Sequence, residues 1–319
     1  MKRINDLYQR ICMMENLHLA DKIARKGKLK HPGVIDHDKK WEANLEALQQ
    51  MLINKTYETS KYTTFTIYEP KERIIFRLPY YPDRITHHAI MNILEPLFVS
   101  VFTADTYSCI KGKGIHAAAN AVREALKDKS GTQYCLKLDI QKFYPNVDHD
   151  VLKQLLQRKI KDQDLLWLLD EIIDSTEGLP IGNYLSQYFA NFYLTYFDHW
   201  IKQDKSVKYY FRYADDLVIL SDSKEYLHQL LSEIRTYMSD RLKLQIKDNY
   251  QVFPVDAKGI DFVGYVFRHT HTRLRKSIKQ NFARMLKHNR NAKSIASYSG
   301  WACHCNSRHL LKKFLNENI

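Results

Sequence analysis

The segment KYYFRYADDLVILS (208–221) sets two short apolar strands on either side of a tight turn, and the turn carries two adjacent carboxylates, Asp215 and Asp216. Like charges this close repel, and each raises the other's pKa unless a cation neutralises them. Mg²⁺, a hard and oxygen-seeking ion, suits such a pair. A solvated turn is the plain alternative, because Asp is a common turn residue. A third carboxylate weighs against that alternative. Asp139 closes the apolar strand YCLKLDI (134–140), 76 residues before Asp215. If strand and hairpin share a sheet, three acids meet. That arrangement suits two metal ions ~3.5–4 Å apart, as used to displace a phosphoryl leaving group.

Charge narrows the partner. The 319-residue chain has a formal charge of +13, yet residues 268–319 hold twelve Lys or Arg and a single acid, Glu317. A nearly neutral body with a cationic tail points to a polyanion, nucleic acid before membrane. A solvated helix face would also explain a charge run. Phe282, Tyr298, Trp301 and Phe314 interleave with these cations and suit either base stacking or a small core. With 45% hydrophobic and 27% charged residues the chain is expected to fold rather than stay disordered. No stretch reaches the ~18 apolar residues that cross a bilayer; Asp170 and Glu171 break LLWLLDEII (165–173). MKRINDLYQR has no apolar core after its positive charges, so no secretory signal is expected. Five scattered cysteines (Cys12, Cys109, Cys135, Cys303 and Cys305) argue against a disulfide framework and for a reducing cytoplasm.

Periodicity predicts helices over 3–20 and 40–53, a strand in KERIIFRLPYYPD (71–83), and a helix over 85–98. A helix capped by Asp148 follows the Asp139 strand. An aromatic helix follows GLPIG (178–182), with Leu185, Phe189, Phe192, Tyr193, Tyr196, Phe197 and Trp200 on one face. After the Asp-Asp hairpin come a helix to about Asp240, strands near 250–255 and 261–267, and a mostly helical tail. The class is α+β.

Taken in order, KERIIFRLPYYPDRITHHAI (71–90), LKLDIQKFYPNVDHD (136–150), GLPIGNYLSQYFANFYL (178–194) and FRYADDLVIL (211–220) resemble the successive motifs of reverse transcriptases. GIDFVGYVF (259–267) resembles the primer-grip hairpin that follows them. The resemblance covers residues 60–267 and implies a right-hand polymerase: an N-terminal extension and fingers at 1–133, a palm of antiparallel sheet with packed helices at 134–267, and a short basic helical thumb at 268–319. It implies that Asp139, Asp215 and Asp216 hold two Mg²⁺ ions, with Mn²⁺ as a substitute. Lys71 and Arg73 then clamp the incoming triphosphate, as cations and the planar Arg fork suit phosphate. Tyr144 sits where these enzymes place the ring that excludes a ribose 2′-hydroxyl; without the resemblance it reads as a core aromatic before a turn. Gly182, lacking a Cβ, lets the backbone approach the nucleotide. Lys247 is a candidate for protonating pyrophosphate, its register open by one position. Lys111 and Lys113 in TADTYSCIKGKGIHAAANAV (103–122), and Arg275, Lys276, Lys279, Arg284 and Lys287 in the tail, are candidates for contacting nucleic acid.

One departure indicates a subfamily. Retron and group II intron relatives carry Gln-Gly and then Ser-Pro where this chain reads Ile181-Gly182-Asn183-Tyr184-Leu185-Ser186-Gln187. The pattern I-G-x-x-x-S-Q resembles the reverse transcriptases of diversity-generating retroelements. That resemblance implies a bacterial or phage-encoded cytoplasmic enzyme copying a template-repeat RNA into cDNA with errors at adenines. Its partners would be the template RNA and RNA/DNA hybrid, dNTPs and an oligomeric accessory variability determinant protein, with no membrane. Another bacterial reverse transcriptase (retron or abortive-infection type) and a non-catalytic RNA-binding scaffold are the alternatives. Cys303, Cys305 and neighbouring histidines fall short of zinc spacing, GKG (112–114) lacks the full phosphate-loop pattern, and His87 and His88 read as structural residues on a helix.

Overall fold

The computed structural model describes residues 3–68, 72–288 and 290–316. Among the described residues the alternating and β-branched runs form nine strands: β1 Thr63–Ile67, β2 Arg73–Arg77, β3 Tyr134–Asp139, β4 Tyr209–Tyr213, β5 Asp216–Ser221, β6 Gln251–Pro254, β7 Ile260–Phe262, β8 Tyr265–Phe267 and β9 Thr272–Leu274. They make three sheets: β1-β2, β4-β5-β3-β6 and β7-β8-β9. Every pairing among these nine strands is antiparallel.

By contacts the chain divides into two compact units, each drawn from three separate stretches. One comprises Met1–Phe102, Lys142–Tyr196 and Ser239–Leu244; the other comprises Thr103–Gln141, Phe197–Met238 and Gln245–Ile319. The boundaries read from the linear sequence, 133/134 and 267/268, both fall inside the second unit.

In the first unit, helices Tyr8–Cys12, Met14–Ala24, Trp41–Ile53 and Ile85–Val101 bury Ile11, Leu17, Ala20, Leu45, Leu48, Leu52, Ala89, Ile90 and Leu94 completely. The single helix expected over 3–20 is two helices. Met13 breaks it with extended backbone (ψ 135°), and Asn16 Nδ2 donates to the Ile11 carbonyl at 3.0 Å. A side chain that satisfies the backbone near a helix end offsets the loss of a helical bond. Asp148 caps helix His149–Gln157 by accepting from the Val151 N–H at 3.0 Å.

In the second unit the four-stranded sheet carries the carboxylates. Cys135, Phe211, Val218, Leu220 and Phe253 lie on the same sheet face as Asp139 and Asp216 by the period of two, and helix Ile115–Ala125 covers them with Ala118, Ala119 and Val122. Residues 260–267 form a hairpin, β7–β8, as the resemblance of GIDFVGYVF implies and in place of the single strand read from periodicity, because Val263 and Gly264 both take positive φ (41° and 86°). The Trp301 ring packs against Gly264 where a Cβ would stand. The tail is helical over Lys276–His288, Ala292–Cys303 and Arg308–Asn316. Its rings pair with one another: buried Phe282 stacks on Tyr298 at 5.0 Å and meets Phe314 edge-on at 5.3 Å. Among the described residues no helix is long and apolar enough to cross a membrane.

Candidate active site

Strand register brings two of the three acids together. Asp139 is directly opposite Asp216 in the β3–β5 pairing, and Asp216 is opposite Tyr213 in β4–β5. Directly opposed residues share a sheet face with Cβ atoms ~4.5–5.5 Å apart. Asp215 lies in the turn, and its carbonyl accepts from the Ile140 N–H at 3.3 Å, fastening the turn to the end of β3. Residues 245–247 add to the same end: the Gln141 N–H donates to the Gln245 carbonyl at 2.8 Å, and the Lys247 N–H to the Asp139 carbonyl at 2.9 Å. The Lys247 ammonium thereby reaches Asp139 Oδ2 at 2.6 Å. Lys247, the candidate for protonating pyrophosphate, is paired with Asp139 here.

Lys137, two residues before Asp139 and so on the same face, stands 3.5 Å from Asp216 Oδ1 and donates to the Asp261 carbonyl at the base of the β7–β8 hairpin. Sequence reasoning missed it, although its place in the alternation was a usable signal. Burial, and next the charge of Asp139, push the Asp215 carboxyl above the usual range. Burial raises Asp216 to about 6, with Asp139 and Asp215 adding and Lys137 opposing.

Asp139 Oδ1 and Asp216 Oδ1 are buried without a hydrogen-bond partner among the described residues. Neighbouring buried carboxylate oxygens that accept no hydrogen bond, with only the Lys137 ammonium 3.5 Å from Asp216 Oδ1, favour a further cation, and oxygen donors suit Mg²⁺ or Mn²⁺. By charge and donor chemistry the residues fit a divalent ion. Among the described residues no group of three His, Cys, Asp or Glu is arranged to hold a metal. Asp139 is turned onto Lys247 and Asp216 toward Lys137.

Tyr144, Arg73, Ile181, Gly182 and Gln187 belong to the first unit, and the acids belong to the second. Ile181 and Gly182 are held against β2. The Phe76 N–H donates to the Ile181 carbonyl at 2.8 Å, and a Cβ on Gly182 (φ +121°) would meet the Phe76 carbonyl oxygen at 2.5 Å. Gly182 and Gln187 line a cavity of about 380 Å³ with Phe76, Arg77, Arg84 and His88. Burial and then Arg77 lower Arg84, while burial holds His88 down at about 4 and buried His87 at about 3. Both histidines are therefore neutral near pH 7. Tyr144 is half-buried at the start of the short turn Tyr144–Asn146, edge-on to Phe143 at 5.7 Å. Arg73 is exposed at the start of β2, and Lys71 lies outside the described residues.

The nucleic-acid candidates divide. The Lys113 ammonium is engaged within its own loop, donating to the Ala104 and Thr106 carbonyls at 2.8 and 3.1 Å. Arg275 pairs with Asp261 at 2.6 Å. Lys111 is exposed. Lys276, Lys279, Arg284 and Lys287 are exposed along a stripe of helix Lys276–His288, with Lys279 flanking the buried Phe282 and the other three turned away from it.

Residues 69–267, more than half of the chain, match the family model described as reverse transcriptase (RNA-dependent DNA polymerase). The chain belongs to the reverse transcriptase family. It is an RNA-directed DNA polymerase by class, and binding of a template RNA and use of divalent metal ions go with that domain. Similar curated proteins include Protein YkfC of Escherichia coli (strain K12), 24% identical over 317 residues, covering 82% of this chain and 83% of that protein. The group II intron-encoded protein LtrA of Lactococcus lactis subsp. cremoris is 20% identical over 264 residues, covering 60% of this chain and 44% of LtrA. Among solved structures, apo telomerase from Candida tropicalis superposes with a TM-score of 0.52 at 12% identity, over 81% of this chain and 57% of that one. At that identity the likeness is one of fold, a mixed helix-and-sheet fold with antiparallel sheets.

Proposed function

We propose that this reverse transcriptase copies a template-repeat RNA into adenine-mutagenised cDNA for a diversity-generating retroelement. The observation that carries the polymerase chemistry is the register pairing of Asp139 with Asp216, each with one buried oxygen that accepts no hydrogen bond among the described residues. With Asp215 in the adjoining turn, these acids would hold two Mg²⁺ ions, or Mn²⁺ in their place. Bound there, the ions supply activation of the primer 3′-hydroxyl and neutralisation of the leaving pyrophosphate. The chain's own residues do the rest. Lys247 and Lys137 balance the acids' charge; Lys71 and Arg73 bind the triphosphate of the incoming dNTP; Tyr144 excludes a 2′-hydroxyl; the stripe on Lys276–His288 follows the RNA/DNA hybrid backbone. An oligomeric accessory variability determinant protein is the proposed partner.

The subfamily reading rests on Ile181 and Gln187. Ile181 offers no side-chain polar group near the nascent base pair, and discrimination weakens when a mispair leaves no protein polar group unpaired. A group II intron-type enzyme is the second reading, favoured by the similarity to LtrA. Primer extension on poly(rA)/oligo(dT) and on a mixed-sequence RNA, with Mg²⁺ or Mn²⁺, tests both levels. Extension that Asp215→Asn abolishes supports the polymerase, and its absence from the wild type argues for an RNA-binding scaffold. Errors concentrated opposite adenine support the retroelement reading; errors spread evenly over the four template bases support the second.

A further inference from the structure

The strand leading into the carboxylate turn contains an anomaly. β4 reads Tyr-Tyr-Phe-Arg-Tyr, and the Arg212 side chain is fully buried, as is that of its partner Asp198 (0% exposed for both). The guanidinium grips the carboxylate with two arms, Nε to Oδ1 at 2.8 Å and Nη2 to Oδ2 at 2.5 Å. Asp198 also accepts from the Tyr210 hydroxyl at 2.6 Å and the Thr106 hydroxyl at 3.0 Å. A buried ion pair is weak evidence for stabilisation, because desolvating both charges offsets their attraction and apolar residues of similar volume often serve as well. Its product here is direction.

The remaining arm, Nη1, donates to the Ala214 carbonyl at 3.2 Å. The Ala214 N–H donates to Ser108 Oγ at 3.0 Å, and Ser108 is itself buried. Both main-chain polar groups of the residue before Asp215 are thus held by buried side chains. Ala214 stands at φ +54°, a left-handed conformation that a side-chain-bearing residue adopts at a penalty. The segment bearing Ser108 is itself tied to β4: the Arg212 N–H donates to the Asp105 carbonyl, and the Tyr107 N–H donates to the Arg212 carbonyl, each at 3.0 Å. An unheld Ala214 would return toward the right-handed or extended regions and swing the Asp215 backbone away from Asp139.

We propose that Arg212, oriented by Asp198, and Ser108 are positioning residues that lock the Ala214 turn so that Asp215 and Asp216 can bind a divalent ion beside Asp139. Neither touches the ion or the nucleotide in this scheme. The inference rests on the reading above, that these acids hold a divalent ion.

The test uses the full chain as wild type, Ser108→Ala, Arg212→Lys and Asp215→Asn, stripped of metal. Mn²⁺ binding is followed by electron paramagnetic resonance, folding by thermal melts, and primer extension as a function of Mg²⁺. Loss of one hydrogen bond to the turn corresponds to about fivefold. Ser108→Ala should therefore weaken Mn²⁺ binding and raise half-saturating Mg²⁺ by about that factor, leaving the dNTP KM at saturating metal and the melting midpoint close to wild type. Arg212→Lys, which keeps the charge and loses the fork, should do the same or more. Wild-type Mn²⁺ affinity in folded Ser108→Ala overturns the proposal, and that variant decides alone if Arg212→Lys does not fold. Asp215→Asn separates the two levels. If it too binds Mn²⁺ like the wild type, the acids do not hold the ion and the underlying reading falls; if it loses Mn²⁺ while Ser108→Ala does not, only the positioning role is lost.

Discussion

Replacing Asp216 by Asn removes one of three neighbouring carboxylates and should make the metal-free protein more stable while it abolishes polymerisation. Burial, with Asp139 and Asp215 adding, raises the Asp216 carboxyl from 3.8 to about 6. Roughly two pH units at ~1.4 kcal/mol each set an upper bound of ~3 kcal/mol for the penalty of ionising it in the fold. The side chain is 29% exposed, so solvent screening reduces this to ~1–2 kcal/mol. Because the folded pKa lies above the unfolded one, the penalty is absent below about pH 4, grows as pH rises through 6, and is complete above. Asn carries no charge at any of these values. Lys137 loses an ion partner but is 24% exposed and keeps its hydrogen bond to the Asp261 carbonyl. At ~2–4 °C per kcal/mol for a chain of this order, Asp216→Asn should melt ~2–8 °C above wild type in EDTA at pH 8. The difference should close near pH 4. Adding Mg²⁺ should stabilise wild type more than the variant, since only a folded state that binds the ion gains from it. Scanning fluorimetry at the two pH values measures all of this. An unchanged or lower midpoint for Asp216→Asn at pH 8 in EDTA would refute the reasoning that burial and the neighbouring acids make an ionised Asp216 costly without a metal.

Other substitutions test the remaining assignments. Tyr144→Ala should admit ribonucleotides, seen as rNTP incorporation in single-nucleotide extension; unchanged sugar discrimination removes that assignment. Ile181→Gln should lower misincorporation opposite template adenine, and sequencing cDNA from both forms would expose equal error rates if the idea is wrong. Gly182→Ala forces a Cβ against the Phe76 carbonyl at a φ of +121°, a strain of order ~1–3 kcal/mol; a melting midpoint and dNTP KM like those of wild type would contradict it. Alanine at Lys276, Lys279, Arg284 and Lys287 together should weaken RNA binding at low salt and flatten its dependence on salt concentration. An unaltered slope in a filter-binding titration places the RNA elsewhere.

Much of this was legible in local sequence. The strand ending at Asp139, the hairpin through Asp215 and Asp216, the Asp148 cap and the α+β class rest on alternation and turn chemistry, which act over a few residues. Local patterns said less about long-range pairs. That Lys247 meets Asp139, 108 residues away, shows only in the fold, through a main-chain bond and an ion pair. Lys113 reads as a candidate for nucleic acid from its glycine-rich loop, and only the fold shows its ammonium engaged by two carbonyls of that loop. The tail aromatics suited base stacking equally well until Phe282, Tyr298 and Phe314 were seen to pack together.

Sequence alone determined which residues could do the chemistry: three carboxylates on apolar strand ends and a cationic tail. Tertiary structure decided how they are held. It paired Asp139 with Asp216, set a lysine on each, and placed the Arg212–Asp198 pair beneath the turn. The reason is physical. Strand periodicity is encoded within a few neighbouring side chains, whereas a buried charge takes whichever partner the folded chain presents, across any distance in sequence.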